Sequence, residues 1–214
     1  MSIIDVSFPT IGTGAIPRQH GLALYGALCR ALPSLHGAEW LGVHPLSGKV
    51  GADADMLMPT ANAALRLRIP VERLTALLPL MGVTLSVAGH PLQLGAPTVF
   101  PLAPSSSLDA RIVVLKLTDA PKSQSSSEDR EVLDNAALAA RYQTELSRQA
   151  QRLGISSEPV LCGREELRVH GKRIVGFSVR FGSLSADESL ALQRHGLGGK
   201  RRMGCGIFRP TRGA

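Results

Sequence analysis

Hydrophobic positions change their period several times along the chain, and each change marks an element. Ile3–Phe8 is short, β-branched and stops at Pro9, as a strand does. Residues 18–33 instead place Leu22, Leu24, Tyr25, Leu28, Cys29 and Leu32 at helical spacing, with Pro17 suited to the entry and Pro33 to the exit. A short strand near Leu41–His44 follows, then Ala64–Ile69 with Leu65, Leu67 and Ile69 alternating. Pro70 opens a helix through Leu80, and Val83–Val87 returns as a strand. The order is β-α-β-β-α-β.

The second half repeats it. Arg111–Leu117 is a β-branched strand, and residues 130–153 carry an apolar stripe of Val132, Leu133, Ala137, Leu138, Ala140 and Leu146. Ile155–Leu161 and Val175–Phe181 read as strands, Ala186–Arg194 as a helix with Ser185 at its N-cap, and Ile207-Phe208 as the end of a last strand. Pro91–Pro101 reads as a hairpin connection, and the polar, Ser-rich stretch 119–130 as a flexible break preceded by the Pro/Ser stretch Pro101–Ser107. Two consecutive split βαβ units predict an α+β protein of two tandem ferredoxin-like (βαββαβ, RRM-like) domains, 1–103 and 104–214.

Composition permits this. Of 214 residues, 44% are hydrophobic and 19% charged, which suits a buried core and excludes wholesale disorder. No apolar run approaches the roughly 18 residues that cross a bilayer, and the start Met1-Ser2-Ile3-Ile4-Asp5 lacks the pattern of a secretory signal, so a soluble, cytoplasmic protein without membrane contact is expected. Cys29, Cys162 and Cys205 are far apart and form no zinc spacing, so no metal or cofactor is expected.

Charge is distributed unevenly. The chain carries 24 Lys and Arg against 17 Asp and Glu, a formal +7, and residues 189–214 hold Arg194, Lys200, Arg201, Arg202, Arg209 and Arg212 with no acid. Such a tract meets phosphate or stays a solvated tail. Within it, Gly196-Leu197-Gly198-Gly199-Lys200-Arg201-Arg202-Met203-Gly204-Cys205-Gly206 places five glycines around three consecutive cations, between a helix and a strand. It is neither a Walker loop nor a Rossmann fingerprint. Glycines at 196, 198, 199, 204 and 206 would let backbone N–H groups face phosphate oxygens beside the cations, or make a flexible turn with solvated charges.

This G-L-G-G-x-R-R-x-G-x-G loop at the end of a doubled ferredoxin-like chain resembles that of the CRISPR repeat-processing endoribonucleases, the Cas-six family. Ile16-Pro17-x-x-His20-Gly21-x-x-Leu24-Tyr25-x-Ala27-Leu28, then Leu35-His36 and Gly42-Val43-His44-Pro45, resemble the short myxobacterial-type form, as do Val175-Gly176-Phe177 and Leu184-Ser185. The resemblance implies metal-independent cleavage of CRISPR precursor RNA within its repeats. The ribose 2′-OH attacks the adjacent phosphate, leaving a 2′,3′-cyclic phosphate and a 5′-OH, with histidine suited to the proton transfer. It also implies a repeat-RNA hairpin as partner, together with other Cas subunits of a Cascade-like effector complex. The alternative is a non-catalytic subunit that binds the repeat RNA and caps the guide's 3′ handle.

By that resemblance His20, at the start of the first helix, is the first catalytic candidate, His36 the second, and Tyr25 accompanies them. Gly196, Gly198, Gly199, Lys200, Arg201, Arg202, Gly204 and Gly206 would hold RNA, with Lys172, Arg173 and Arg180 as further cations. His44 reads equally as a structural hydrogen-bonding residue and His195 as a helix C-terminal charge, while His90 and His170 read as surface residues. Where compact relatives place a mid-helix catalytic histidine, a rough match puts Cys29. Aromatic residues are only 4%, and neither half shows the aromatic sheet-face signature of a base-stacking domain, so recognition should lean on hairpin shape and phosphates.

Overall fold

A computed structural model describes residues 2–11, 14–51, 53, 55–60, 63–117, 128–169 and 171–211, the side chains of 128–134 excepted. These form two compact units. The first comprises Met1–Ala103 with Leu167–Arg173 and Lys200–Gly204, and the second comprises Pro104–Glu166, Ile174–Gly199 and Cys205–Ala214.

The first unit runs β1 (Ile3–Ile11), β2 (Ile16–Pro17), α1 (Gly21–Ala31), β3 (Gly42–Val43), β4 (Gly48–Val50), β5 (Met56–Pro59), β6 (Ala64–Pro70), α2 (Leu74–Leu77), β7 (Thr84–Val87), β8 (His90–Leu94) and β9 (Thr98–Pro101). Its main sheet has the order β3-β6-β1, with β9 and the β8-β7 hairpin along different stretches of the far side of β1. Strand alternation sends Ile4, Val6 and Phe8 of β1, with Leu65, Leu67 and Ile69 of β6, into the core, where Leu24 and Leu28 of α1 join them. Asp5 and Ser7 face the other way, opposite Arg68 and Arg66.

Three expectations change here. Pro17 does not open α1: it pairs with Met56 in a small sheet of order β2-β5-β4, whose two- to four-residue strands leave almost no alternation to read. The helix expected from Pro70 to Leu80 is a single α-helical turn flanked by 3-10 turns at Val71–Arg73 and Leu78–Leu80, because Pro79 has no N–H to continue the ladder. Val83–Val87 is not the strand beside β1. It supplies β7 of a hairpin, and β9, within the stretch expected to connect the halves, takes that place over Ile4–Ser7.

The second unit contains β10 (Leu108–Val113), α3 (Glu128–Arg152), α4 (Ala186–His195), β13 (Arg209–Pro210) and most of β11 (Val160–Val169) and β12 (Lys172–Phe181), whose shared hairpin end belongs to the first unit, with sheet order β11-β12-β10-β13. Both sheets therefore place their elements in the 2-3-1-4 order of a ferredoxin-like fold. Ser185 caps α4 in a reciprocal capping box with Glu188, as its sequence predicts. The strand expected at Ile155–Leu161 begins instead at Val160, and Ile207-Phe208 is buried outside the ladder, which Arg209–Pro210 closes against Leu108 and Asp109. Most of the Ser-rich stretch and His170 lie outside the described residues; Glu128 already belongs to α3. Among the described residues no helix is long and apolar enough to cross a membrane.

Candidate active site and nucleic-acid interface

The glycine loop is built for close packing. Gly198 and Gly206 have φ of 72° and 65°, and a Cβ would lie 2.5 Å from the Val114 carbonyl oxygen at Gly198 and 2.0 Å from the Leu197 carbonyl oxygen at Gly206. No side chain fits there. Every glycine N–H is already donated. Gly196 donates to Leu192, Gly199 to Val114, Gly204 to Arg201 and Gly206 to Ile112, all to carbonyl oxygens, while Gly198 donates to the Gln149 side-chain oxygen. The expectation that these groups face phosphate is therefore corrected. The N–H groups of Gly196, Gly198, Gly199, Gly204 and Gly206 stitch the loop together, and the charge presented is that of the cations.

Those cations belong to the first unit. Lys200 is exposed in a left-handed conformation (φ 62°, ψ 33°), which costs a non-glycine residue about 1 kcal/mol. A 3-10 turn at Arg201–Met203 follows, against α1 and β3. Gly21 makes that approach possible, since a Cβ there would lie 2.2 Å from the Met203 carbonyl oxygen. Burial holds the Arg201 guanidinium below its ordinary pKa, and the charge of Arg68 adds to the shift.

Arg202 extends over the ring of Tyr25, 5.6 Å from its centroid, a cation–π contact. The Tyr25 hydroxyl donates to the Leu35 carbonyl at 3.2 Å and accepts the Gly37 N–H at 3.0 Å. It clasps both neighbours of His36, which is exposed at the end of the 3-10 turn Pro33–Leu35. Within one unit, Tyr25 thus links the turn that carries the exposed His36 to Arg202.

His20 is placed differently. It is 1% exposed at the N-cap of α1, with Nδ1 2.9 Å from the Pro17 carbonyl oxygen and Nε2 accepting the Leu46 N–H at 2.9 Å. Both ring nitrogens hold backbone, which fixes the Nδ1–H tautomer and leaves neither nitrogen for a substrate. The first-ranked candidate therefore has its ring committed to the fold, while the second, His36, is exposed. His44 is buried, with Nε2 3.5 Å from Asp5, whose carboxylate receives a bidentate contact from Arg68 at 2.7 and 3.0 Å. Burial pushes His44 down to about 4, Asp5 opposing and Arg68 and Arg66 assisting. Burial alone would raise the Asp5 carboxyl, but the His44 ring and the Arg68 guanidinium outweigh it and hold the group well below the carboxylate range.

Of the remaining candidates, Cys29 packs against the core of the first unit. Arg180 is ion-paired with Asp109 at 2.7 Å, so it is not the open phosphate contact expected. Lys172 and Arg173 are exposed at the β11–β12 turn together with Arg168, whose backbone N–H donates to the Gln19 side chain within the first unit. His195 is exposed at the C-terminus of α4, and His90 begins β8 half-buried. The Asp5–Arg68–His44 cluster and an Arg66–Phe100 pair went unnoticed in the sequence. Their signal was the charged residue at alternate positions of β1 and β6, inside otherwise apolar strands.

The architecture defines the class: a doubled ferredoxin-like protein with a glycine-stitched loop that presents cations. Residues 4–213 match the family model described as Cas6 Crispr. A CRISPR-associated endonuclease Cas6 from Myxococcus xanthus is 37% identical over 210 residues, covering 98% of this chain and 82% of that protein. Among solved structures, a Cas6-related protein of Pyrococcus furiosus aligns with a TM-score of 0.63 at 10% identity, covering 100% and 99% of the two chains. One described as a RAMP protein binding different RNA substrates aligns with a TM-score of 0.58 at 10% identity, covering 98% and 99%. These two likenesses carry the fold; the family follows from the sequence match. The chain belongs to the Cas6 family.

Proposed function

We propose that this protein is a metal-independent endoribonuclease that cuts CRISPR precursor RNA within its repeats. The observation that carries the reading is His36, exposed on a turn whose two flanking residues are clasped by Tyr25, with Arg202 over the Tyr25 ring. The family and the Myxococcus endonuclease support the substrate.

In this reading the 2′-oxygen attacks phosphorus as the P–O5′ bond breaks, leaving a 2′,3′-cyclic phosphate. His36 takes the proton that leaves O2′, and solvent water supplies the one that arrives at O5′. Arg202 and Lys200 face the charge that accumulates on the phosphorane. Tyr25 is a positioning residue, because its hydroxyl is committed to the turn. Lys172, Arg173 and Arg168 contact RNA phosphates. Arg201 packs the loop, and the loop glycines act by shaping it.

The test is incubation of the repeat RNA with purified protein in EDTA, with analysis of the product ends. A single cut carrying a 2′,3′-cyclic phosphate and a 5′-OH is expected. Tight binding without cleavage would overturn the reading in favour of a guide-capping subunit.

A further inference from the structure

All eight aromatic residues of the chain are among those described, and Phe100 alone is exposed, at 44%. It lies on β9, a strand paired with β1 and exposed along its whole length. Phe100 pairs with Asp5, and Thr98 pairs with Ser7. Across β1, Asp5 and Ser7 pair with Arg68 and Arg66. Directly paired residues share a sheet face, so Phe100, Thr98, Ser7, Asp5, Arg66 and Arg68 lie together on the face opposite the core. The Arg66 guanidinium reaches over the Phe100 ring at 5.6 Å from its centroid.

A phenylalanine left in water on a polar sheet face gains little from the fold, since burial is where an aromatic ring contributes stability. The surroundings match one ligand chemistry. A nucleobase offers a π face to the ring, its phosphate offers charge to Arg66, and its edge and ribose offer hydrogen-bonding groups to the hydroxyl of Thr98. Asp5 is neutralised by Arg68 in its bidentate pair, so Arg66 leaves this face with net positive charge. Asp5, Ser7 and Arg68 are themselves buried, so the accessible part of this face is its β9 side, where Phe100 and Thr98 are exposed and Arg66 is half-buried. An exposed aromatic ring beside an arginine is an arrangement that stacks unpaired bases.

We infer that Phe100 and Arg66 form a stacking platform for one unpaired base of the RNA, made of residues other than the loop cations and the His36 turn. The inference rests on the RNA-processing reading and deepens it. The substrate carries an unpaired nucleotide that the protein holds by stacking, in addition to a hairpin held through its phosphates. Sequence tolerance follows, because every base has a π face.

The experiment compares two probes, the repeat RNA with its single-stranded flank and the stem-loop alone, binding to the full chain as wild type, Phe100→Ala, Phe100→Trp and Arg66→Ala. Stacking energies predict that Phe100→Ala weakens the flanked RNA by about tenfold or more, with a several-fold smaller loss on the stem-loop. Phe100→Trp is expected to retain affinity, and in a Trp40→Phe background the emission of the introduced indole should be quenched by the flanked RNA. Phe100 is exposed, so unchanged thermal melting is the check on folding. Equal losses on both probes, no loss on either, or an unquenched indole in the Phe100→Trp variant would overturn the platform. So would a change of oligomeric state at unchanged RNA affinity, which would mark β9 as a protein contact. If the wild type neither binds nor cuts the repeat, the RNA-processing reading itself fails; if it does both and Phe100→Ala changes nothing, only the platform falls.

Discussion

The two ends of α1 place histidines in opposite circumstances. At the entry, His20 is closed off from water, and each ring nitrogen is spent on a backbone group, Pro17 on one side and Leu46 on the other. At the exit, His36 projects from a turn that owes its shape to the tyrosine hydroxyl beneath it. One ring holds the backbone around it; the other stands on a turn whose backbone is held by Tyr25. A proton-transfer group needs a nitrogen that can meet substrate, and the proposed role of His36 rests on its exposure at the exit. Motif spacing cannot distinguish these positions, since the difference lies in which backbone groups return to each ring.

The sharpest way to break this comparison is His36→Ala. Removing a general base is expected to slow single-turnover cleavage by about 10²–10⁴, with repeat affinity and melting temperature unchanged. Full activity in that variant would dissolve the assignment. The complementary change, His20→Ala, is expected to cost about 3 kcal/mol by orphaning the Leu46 N–H and the Pro17 carbonyl in the interior. Urea titration measures it. Cleavage by the folded fraction should persist. If His20→Ala instead kept its stability and lost the cut, the roles at the two ends of α1 would be reversed.

Much of the fold was legible because long elements carry their period openly: β1, α1, α3, β12 and α4 all fall where apolar spacing and the Ser185 cap place them. The β2-β5-β4 sheet was illegible, since strands of two to four residues hold too few positions to show a period. The residue types of the candidate site were readable, but their duties were not. Glycines at 196 to 206 signal an unusual backbone, and whether their N–H groups point outward or inward depends on Ile112, Val114 and Gln149, remote in sequence. Tyr25 and His36 are both legible as candidates, yet the hydroxyl that links them through Leu35 and Gly37 is a tertiary fact.

A third test concerns the buried cluster that underlies the cationic turn. His44 is pushed down to about 4 from an ordinary 6.5, so between those values the unfolded chain binds a proton that the folded one refuses. Stability rises with pH wherever the unfolded state holds more protons. The contribution is complete above pH 6.5 and is lost as the pH falls toward 4, by about 2 kcal/mol between pH 7 and pH 5. Asp5, held low, adds a further loss only below the ordinary carboxylate range. Denaturant unfolding at both pH values, wild type against His44→Gln, isolates this as a difference in slope. Equal slopes would mean that His44 carries its charge in the fold.

The smallest effect discriminates most finely. Tyr25→Phe keeps the ring under Arg202 and removes only the hydroxyl that holds Leu35 and Gly37. Two hydrogen bonds of about 1 kcal/mol each loosen the turn, and a catalytic group displaced by a fraction of an ångström loses rate steeply. A fall of about tenfold in cleavage at unchanged RNA affinity is expected. If Tyr25 acts only through the placement of His36, then adding Tyr25→Phe to His36→Ala costs nothing further, because residues that act as one unit are not additive. A second tenfold loss in the double variant would instead make the hydroxyl a proton-transfer group in its own right, released from Leu35 when RNA binds, and the exit of α1 would then hold two such groups where its resting geometry displays one.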